Sequence, residues 1–220
     1  MKISFLTKIV IISIFISFAI ISDIFCSAII FFKMPFGGKL FKFSFVILFL
    51  SGFYLGFQKG FIVCIFYSFF HLGKFLLNFS LFTKIFSYNL RDIFLTSLFD
   101  FLIPDIIISF SGLKYKKQKE NINNYFNFIN ILKLISFISF LRLLSFFISS
   151  YYVYAPKILN KFNSLNLSNN YFFYLFNPNN KLYLFCFLYC FVPVLTNLVF
   201  STLLVLFFNL RFKYILDKYN

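Results

Sequence analysis

The sequence predicts an all-α membrane protein, a compact bundle of six transmembrane helices with both termini inside. Three observations carry that expectation. The 220 residues are 61% hydrophobic and only 12% charged, with a mean hydropathy of +0.88. A soluble domain keeps its apolar share near half, so too few polar groups are present here to clothe a globule. Apolar runs recur at lengths near the roughly 20 residues needed to cross a bilayer. Basic residues sit one or two at a time at the ends of those runs, where anchoring and topology require them.

Span 1 covers about 9–32, flanked by Lys2, Lys8 and Lys33. It is longer than the apolar core of a signal peptide and lacks a small-residue cleavage site, so it reads as retained. Span 2 is short, about 43–57, and ends in the turn Gly56-Phe57-Gln58-Lys59-Gly60. Span 3 follows at about 61–79. Span 4, about 90–112, carries Asp92, Asp100, Pro104 and Asp105. The loop at 113–126 holds the basic cluster Lys114, Lys116, Lys117 and Lys119. Span 5 is about 128–152, and a polar stretch rich in Asn and Ser separates it from span 6 at about 182–210. No soluble domain fits between spans, so residues 1–220 form a single integral membrane domain. The dense basic cluster and the tail residues Arg211, Lys213 and Lys218 favour an N-in, C-in topology in the plasma membrane.

Composition also limits function. The net charge of +15 is dispersed along span ends, which argues against nucleic-acid binding. With His71 the only histidine, no Ser-His-Asp arrangement is possible. HExxH, CxxC, Walker and Rossmann patterns are all missing from the sequence. Cys26, Cys64, Cys186 and Cys190 lie inside apolar runs and read as small core residues rather than metal ligands. Asp100 and Asp105 are about 140° apart around a helix, a poor carboxylate pair. Enzymatic activity is therefore not expected. The 42 Phe and absent Trp read as codon bias, so a single aromatic is weak evidence of a site.

Charges inside spans carry more weight, because each costs about 2.5–3.5 kcal/mol at mid-bilayer. Asp23, Asp100 and Arg142 each fall roughly 13–16 Å below the outer end of their helix at about 1.5 Å per residue. They define either a buried ion pair, Arg142 with Asp100 or Asp23, or a polar pocket reached from outside. Lys133 lies close enough to its helix end to snorkel. His71, alone in sequence, reads as interfacial packing. Ser13 and Ser17 form a small-xxx-small pair suited to close helix contact.

Several stretches resemble the substrate-binding S components of energy-coupling factor (ECF) vitamin transporters, in particular the thiamine-specific branch. Phe32-Lys33-Met34-Pro35-Phe36-Gly37-Gly38 after the first helix is similar to its Met-Pro-x-Gly-Gly loop. A short span follows, then Gly56, Gly60, Tyr67 and His71-Leu72. Leu98-Phe99-Asp100-Phe101 with Pro104, and Arg142 through Tyr154-Ala155-Pro156, resemble its fourth and fifth helices. The resemblance covers most of the first 156 residues and is diffuse thereafter. It implies a vitamin-binding subunit, thiamine or a related precursor being the leading ligand, that hydrolyses nothing itself. Its implied partners are a transmembrane T component, docked on span 1 near Ser13 and Ser17, and two cytoplasmic ATPases where the ATP is used.

Position by position, the resemblance implies Asp100 as the acidic pocket residue, Phe101 beside it, and Arg142 as the basic residue of helix 5. Tyr67, Phe36 and Tyr154 match its aromatic positions. Phe146 stands where the family has His, and Ser150 where it has Gly. Its helix 6 Asn has no counterpart at Phe187, Leu188 and Tyr189. Alternatives from the residues are an S component for another vitamin such as riboflavin, a scaffold with an internal Asp–Arg pair, or a secondary transporter acting alone.

Overall fold

A computed structural model of the chain describes residues 5–29, 34, 39–77, 89–113, 128–157 and 178–219. The side chains of Phe5, 178–182 and 209–219 fall outside that description. Phe36, the cluster at 114–119 and the tail residues Arg211, Lys213 and Lys218 lie outside it too.

Among the described residues every regular element is helical. We number them α1 (Phe5–Ala28), α2 (Phe43–Leu55), α3 (Phe57–Leu77), α4 (Leu90–Gly112), α5 (Phe128–Lys157) and α6 (Pro178–Tyr219). Five of them are long and apolar enough to cross a membrane, and α2, at 13 residues, is the shorter apolar one. Boundaries differ from the sequence expectation in several places, among them α5, which runs on to Lys157 rather than ending near 152. The α1 helix starts before residue 9 and stops at Ala28, α6 extends beyond 182–210 at both ends, and the turn after α2 shrinks to a single residue. Gly56 alone breaks the chain there, at φ 88°, a left-handed conformation that glycine adopts without strain. Phe57 already belongs to α3.

Because these helices are apolar on nearly every face, hydrophobicity alone cannot choose which side turns inward. Small and hydroxyl residues make that choice, as expected where lipid removes the driving force for burying Leu or Phe. Ser44, Ser51, Ser68, Ser109, Ser111, Ser139, Ser145, Ser149 and Ser201 are buried, while Phe18, Phe25, Phe66, Phe69, Phe94, Phe140 and Phe200 face outward. Four of these hydroxyls, on Ser51, Ser68, Ser109 and Ser201, bond their own helix, as Ser51 does to the Leu48 carbonyl (2.7 Å) and Ser68 to that of Cys64 (2.8 Å). Ser111 instead crosses from α4 to the Phe49 carbonyl of α2 (2.9 Å). The α2 helix occupies the centre. Its Phe45, Leu48, Phe49 and Phe53 pack in one core with Val63 and Cys64 of α3, Ile108 of α4, and Ile131, Ile135 and Ile138 of α5.

Two helices contain a π-helical turn, Ser97–Leu102 in α4 and Ser150–Tyr154 in α5. Each is followed two residues later by a proline, Pro104 and Pro156. Proline has no N–H to donate and crowds the preceding turn, which favours local rewinding to i→i+5 bonds such as Ile103 N–H to the Leu98 carbonyl. In that register the Phe99 carbonyl would be bonded by the nitrogen of residue 104, which carries no hydrogen. The Ser145 hydroxyl of α5 donates to it instead, at 2.6 Å. Ser145→Ala should therefore cost about 1 kcal/mol, a fall of about 2–4 °C in melting temperature. Ser139→Ala is the matched control, since the buried Ser139 hydroxyl has no partner. Thermal unfolding of both variants in detergent should lower the first and leave the second unchanged or raised.

Candidate functional site

Both π turns line a cavity of about 230 Å³, close to the lower end of the roughly 300–1,000 Å³ range of small-molecule pockets. Its walls come from the C-terminal halves of α3 (His71, Phe75) and α5 (Arg142, Phe146, Ser150, Tyr154, Ala155), and from α4 (Asp100, Phe101). The N-terminal half of α6 adds Phe185, Cys186, Tyr189, Cys190, Pro193, Val194 and Asn197. Met34, Lys39 and Lys42 close the remaining side. π turns displace side chains from the regular helical register and recur at functional sites. Here they bring Asp100 and Tyr154 together, the Tyr154 hydroxyl donating to Asp100 Oδ2 at 2.9 Å.

Of the residues singled out from sequence, Asp100, Phe101, Arg142, Phe146, Ser150 and Tyr154 line this cavity. Tyr67 stands behind the wall. It is buried, its hydroxyl donates to Ser44 at 2.9 Å, and its ring lies 5.6 Å from that of His71. Ser13 and Ser17 are far from the cavity, on an exposed shallow groove of α1 with Val10, Ile14 and Ile21.

The charges are partnered differently from the sequence expectation. Arg142 pairs with neither Asp23 nor Asp100. Asp23, fully buried in α1, is held by Lys39 and Lys74, each at 2.8 Å, and both lysines also donate to Ser27 at 2.6 Å. A carboxylate with two ammonium partners needs no guanidinium. Asp100 takes the tyrosine hydroxyl. Arg142 is sandwiched between the rings of Phe45 (4.6 Å) and Phe146 (5.4 Å), contacts worth about 0.5–2 kcal/mol each. Its Nε is buried with no hydrogen-bond partner. Among the described residues, no carboxylate lies within ion-pair distance of Arg142 or Lys42.

His71 is not isolated packing. Its Nδ1 lies 2.9 Å from Asp105 Oδ2, and its Nε2 is 3.5 Å from Lys42 Nζ. An ammonium can only donate, so Nε2 accepts and Nδ1–H donates to Asp105. Phe101 packs edge-on against the His71 ring at 4.6 Å and beside Phe75 at 4.9 Å. Asp100 and Asp105 of α4 thus serve different groups, as their separation around the helix suggests. Burial pushes the Lys42 ammonium down to about 8, with Asp105 and Asp23 opposing the shift and Lys39 and Arg142 adding to it. It therefore remains mostly cationic at neutral pH.

Sequence reasoning missed Lys39, Lys42 and Asn197. The two lysines lie between spans and look like ordinary anchors. They reach the cavity because α6 holds the segment carrying them. Asn197 Oδ1 accepts from the Lys42 backbone N–H (2.9 Å), and Asn197 Nδ2 and Thr196 Oγ1 donate to the Leu40 carbonyl (3.2 and 2.5 Å). Pro193 is the legible signal, since a proline inside an apolar helix marks a bend with polar satisfaction nearby. Asn197 and Thr196 also donate to its carbonyl, at 2.7 and 3.0 Å. Asn197 lies at the cavity wall, further along α6 than the Phe187–Tyr189 stretch in which the sequence offers no Asn. Cys186 and Cys190 are buried and free, as small core residues would be, but they also form part of the wall. Among the described residues no three His, Cys, Asp or Glu side chains gather as a metal site requires.

Comparison with protein-family models, with curated proteins and with solved structures finds no match to this chain.

Proposed function

We propose that this chain is the solute-binding membrane subunit of an ECF-type importer, taking a vitamin-sized molecule into the cavity between α3, α4, α5 and α6. The observation that supports the reading is that Asp100 and Arg142 share one cavity without pairing to each other. Burying two opposite charges apart is costly, and a ligand that engages them offsets that cost. Intramembrane ionisable residues facing a cavity mark substrate sites by default. The Asp100–Arg142 pair invoked by the scaffold alternative is not formed, and Asp100 bonds Tyr154 instead.

In this reading α2 also crosses, as a short sixth span of about 20 Å at 1.5 Å per residue, and both termini are cytoplasmic. That orientation turns the cavity end of the bundle outward in the plasma membrane. The exposed α1 face around Ser13 and Ser17 meets the T component, and the two ATPases supply ATP hydrolysis from the cytoplasm. Thiamine is the first ligand to test, since Asp100, Phe101 and Tyr154 suit a cationic aromatic ring.

The decisive substitution is Asp100→Asn, which keeps size but removes the charge. Protein purified in mild detergent should carry a small molecule detectable by mass spectrometry. The variant should lose that molecule together with any ligand-induced thermal shift. A variant that retained the molecule and changed only in melting temperature would overturn the role of this cavity.

A further inference from the structure

The charge balance of the cavity wall is uneven, and the imbalance points to the ligand's chemistry. Among the described residues three cations line it, Lys39, Lys42 and Arg142, against one carboxylate, Asp100. The acidic groups just behind the wall are committed. Asp23 is held by Lys39 and Lys74, and Asp105 by His71. Lys39 thus shares a carboxylate partner with Lys74, which leaves Lys42 and Arg142 without one among the described residues. The neighbour that Lys42 meets is the accepting nitrogen of a neutral imidazole at 3.5 Å. Arg142, only 3% exposed, has aromatic rings on its flanks and an Nε with no acceptor. Ring faces stabilise the guanidinium charge without accepting its in-plane N–H bonds, so the hydrogen-bonding demand of the fork stays open.

Resting on the reading of this cavity as a ligand site, we propose that it takes a small organic anion. The anionic group is a carboxylate or phosphate ester held between Lys42 and Arg142. A planar body lies against Phe101, Phe75 and Tyr189, with a donor of the ligand meeting Asp100. A guanidinium matches the two oxygens of either anion in a bidentate arrangement, and the lysine adds a point charge. Bare thiamine, a cation, supplies no such group, whereas its phosphate ester does.

The test uses pairs of compounds that differ only in the anionic group. These are thiamine monophosphate against thiamine, nicotinate against nicotinamide, pantothenate against pantothenol, and biotin against biotinamide. Affinities are measured by calorimetry on the full-length protein in detergent, and the molecule that co-purifies is identified by mass spectrometry. The anionic member of a bound pair should bind at least about 10-fold more tightly. Lys42→Gln should erase most of that advantage, weakening the anionic member of a pair more than the uncharged one. The phosphate and carboxylate arms distinguish the two sources of charge. A pair in which the uncharged or cationic member binds as well as the acid, or a co-purifying molecule with no anionic group, overturns the anion assignment and leaves the binding site standing. Absence of any binding, with nothing co-purifying, overturns the site itself and the anion assignment with it.

Discussion

Arg142→Met is expected to make the protein more stable and unable to hold its ligand. Methionine nearly matches the aliphatic length of arginine and keeps favourable contact with the rings of Phe45 and Phe146, which flank the guanidinium at 4.6 and 5.4 Å. The substitution removes a charge that is almost fully enclosed and whose Nε lacks an acceptor. Replacing buried charges by apolar side chains of similar volume is neutral or stabilising by about 1–4 kcal/mol. Lost cation–π attraction offsets about 1 kcal/mol of that. The net gain is about 0–3 kcal/mol, and at its middle the melting temperature should rise by about 3–6 °C, at about 2–4 °C per kcal/mol for a chain of this size. Binding should weaken by about 2–5 kcal/mol, the cost of truncating one side of a desolvated charge pair, or about 30-fold to more than 1,000-fold. Arg142→Lys should restore part of the affinity but not the bidentate geometry. Thermal unfolding beside calorimetry reads both effects. A fall in melting temperature with unchanged affinity would make Arg142 a structural residue.

That opposition of stability and binding explains why some of this protein is legible in its sequence and some is not. The helices follow from the length and apolarity of their runs, and α4 and α5 begin where the sequence reading places them. Which face turns inward depends on where small residues fall, and that too is open to reading, since Ser44, Ser51, Gly60 and Ser68 are in plain view. The π turns could have been anticipated from Pro104 and Pro156, which remove backbone donors from two apolar helices. Pairing among charges is another matter. Asp23, Asp100 and Arg142 look interchangeable as partners when only depth is considered. Rotation about each helix axis decides the outcome, and it depends on packing across the whole bundle. Lys39 and Lys42 carry no sequence signature of a pocket, because Asn197 and Thr196, some 155 positions away along the chain, hold their segment in place.

Gly60→Ala is expected to be among the most damaging one-carbon changes in the described part of the molecule. A Cβ at Gly60 would lie 2.5 Å from the Gly52 Cα and 3.0 Å from its nitrogen. Both are backbone atoms, so no side-chain rotation relieves the clash and α2 must move away from α3. The junction cannot absorb that movement on its other side. There a Cβ on Gly52 would strike the Ser111 hydroxyl, and one on Gly112 would meet the Phe57 nitrogen and lie 2.6 Å from the Gly56 carbonyl carbon. Three glycines therefore set the spacing of α2, α3 and the end of α4 at one point. Overpacking in a tight interior costs about 1–3 kcal/mol and occasionally more, and backbone contact on both sides puts this case at the upper end. Gly60→Ala should lower the melting temperature by about 6–12 °C, and Gly60→Leu should yield no folded protein. Gly73→Ala, on the same helix with nothing within 4 Å of its added carbon, should be neutral or gain about 0.5–1 kcal/mol from helix propensity. Size-exclusion profiles and thermal unfolding of the three variants check this, and equal behaviour of Gly60→Ala and Gly73→Ala would refute the junction. His71 sits about 16 Å along α3 from Gly60, at 1.5 Å per residue, so a shift of α3 at the glycine contact is carried to the cavity wall. Gly60→Ala protein that still folds should therefore bind more weakly, although Gly60 itself touches no part of the site.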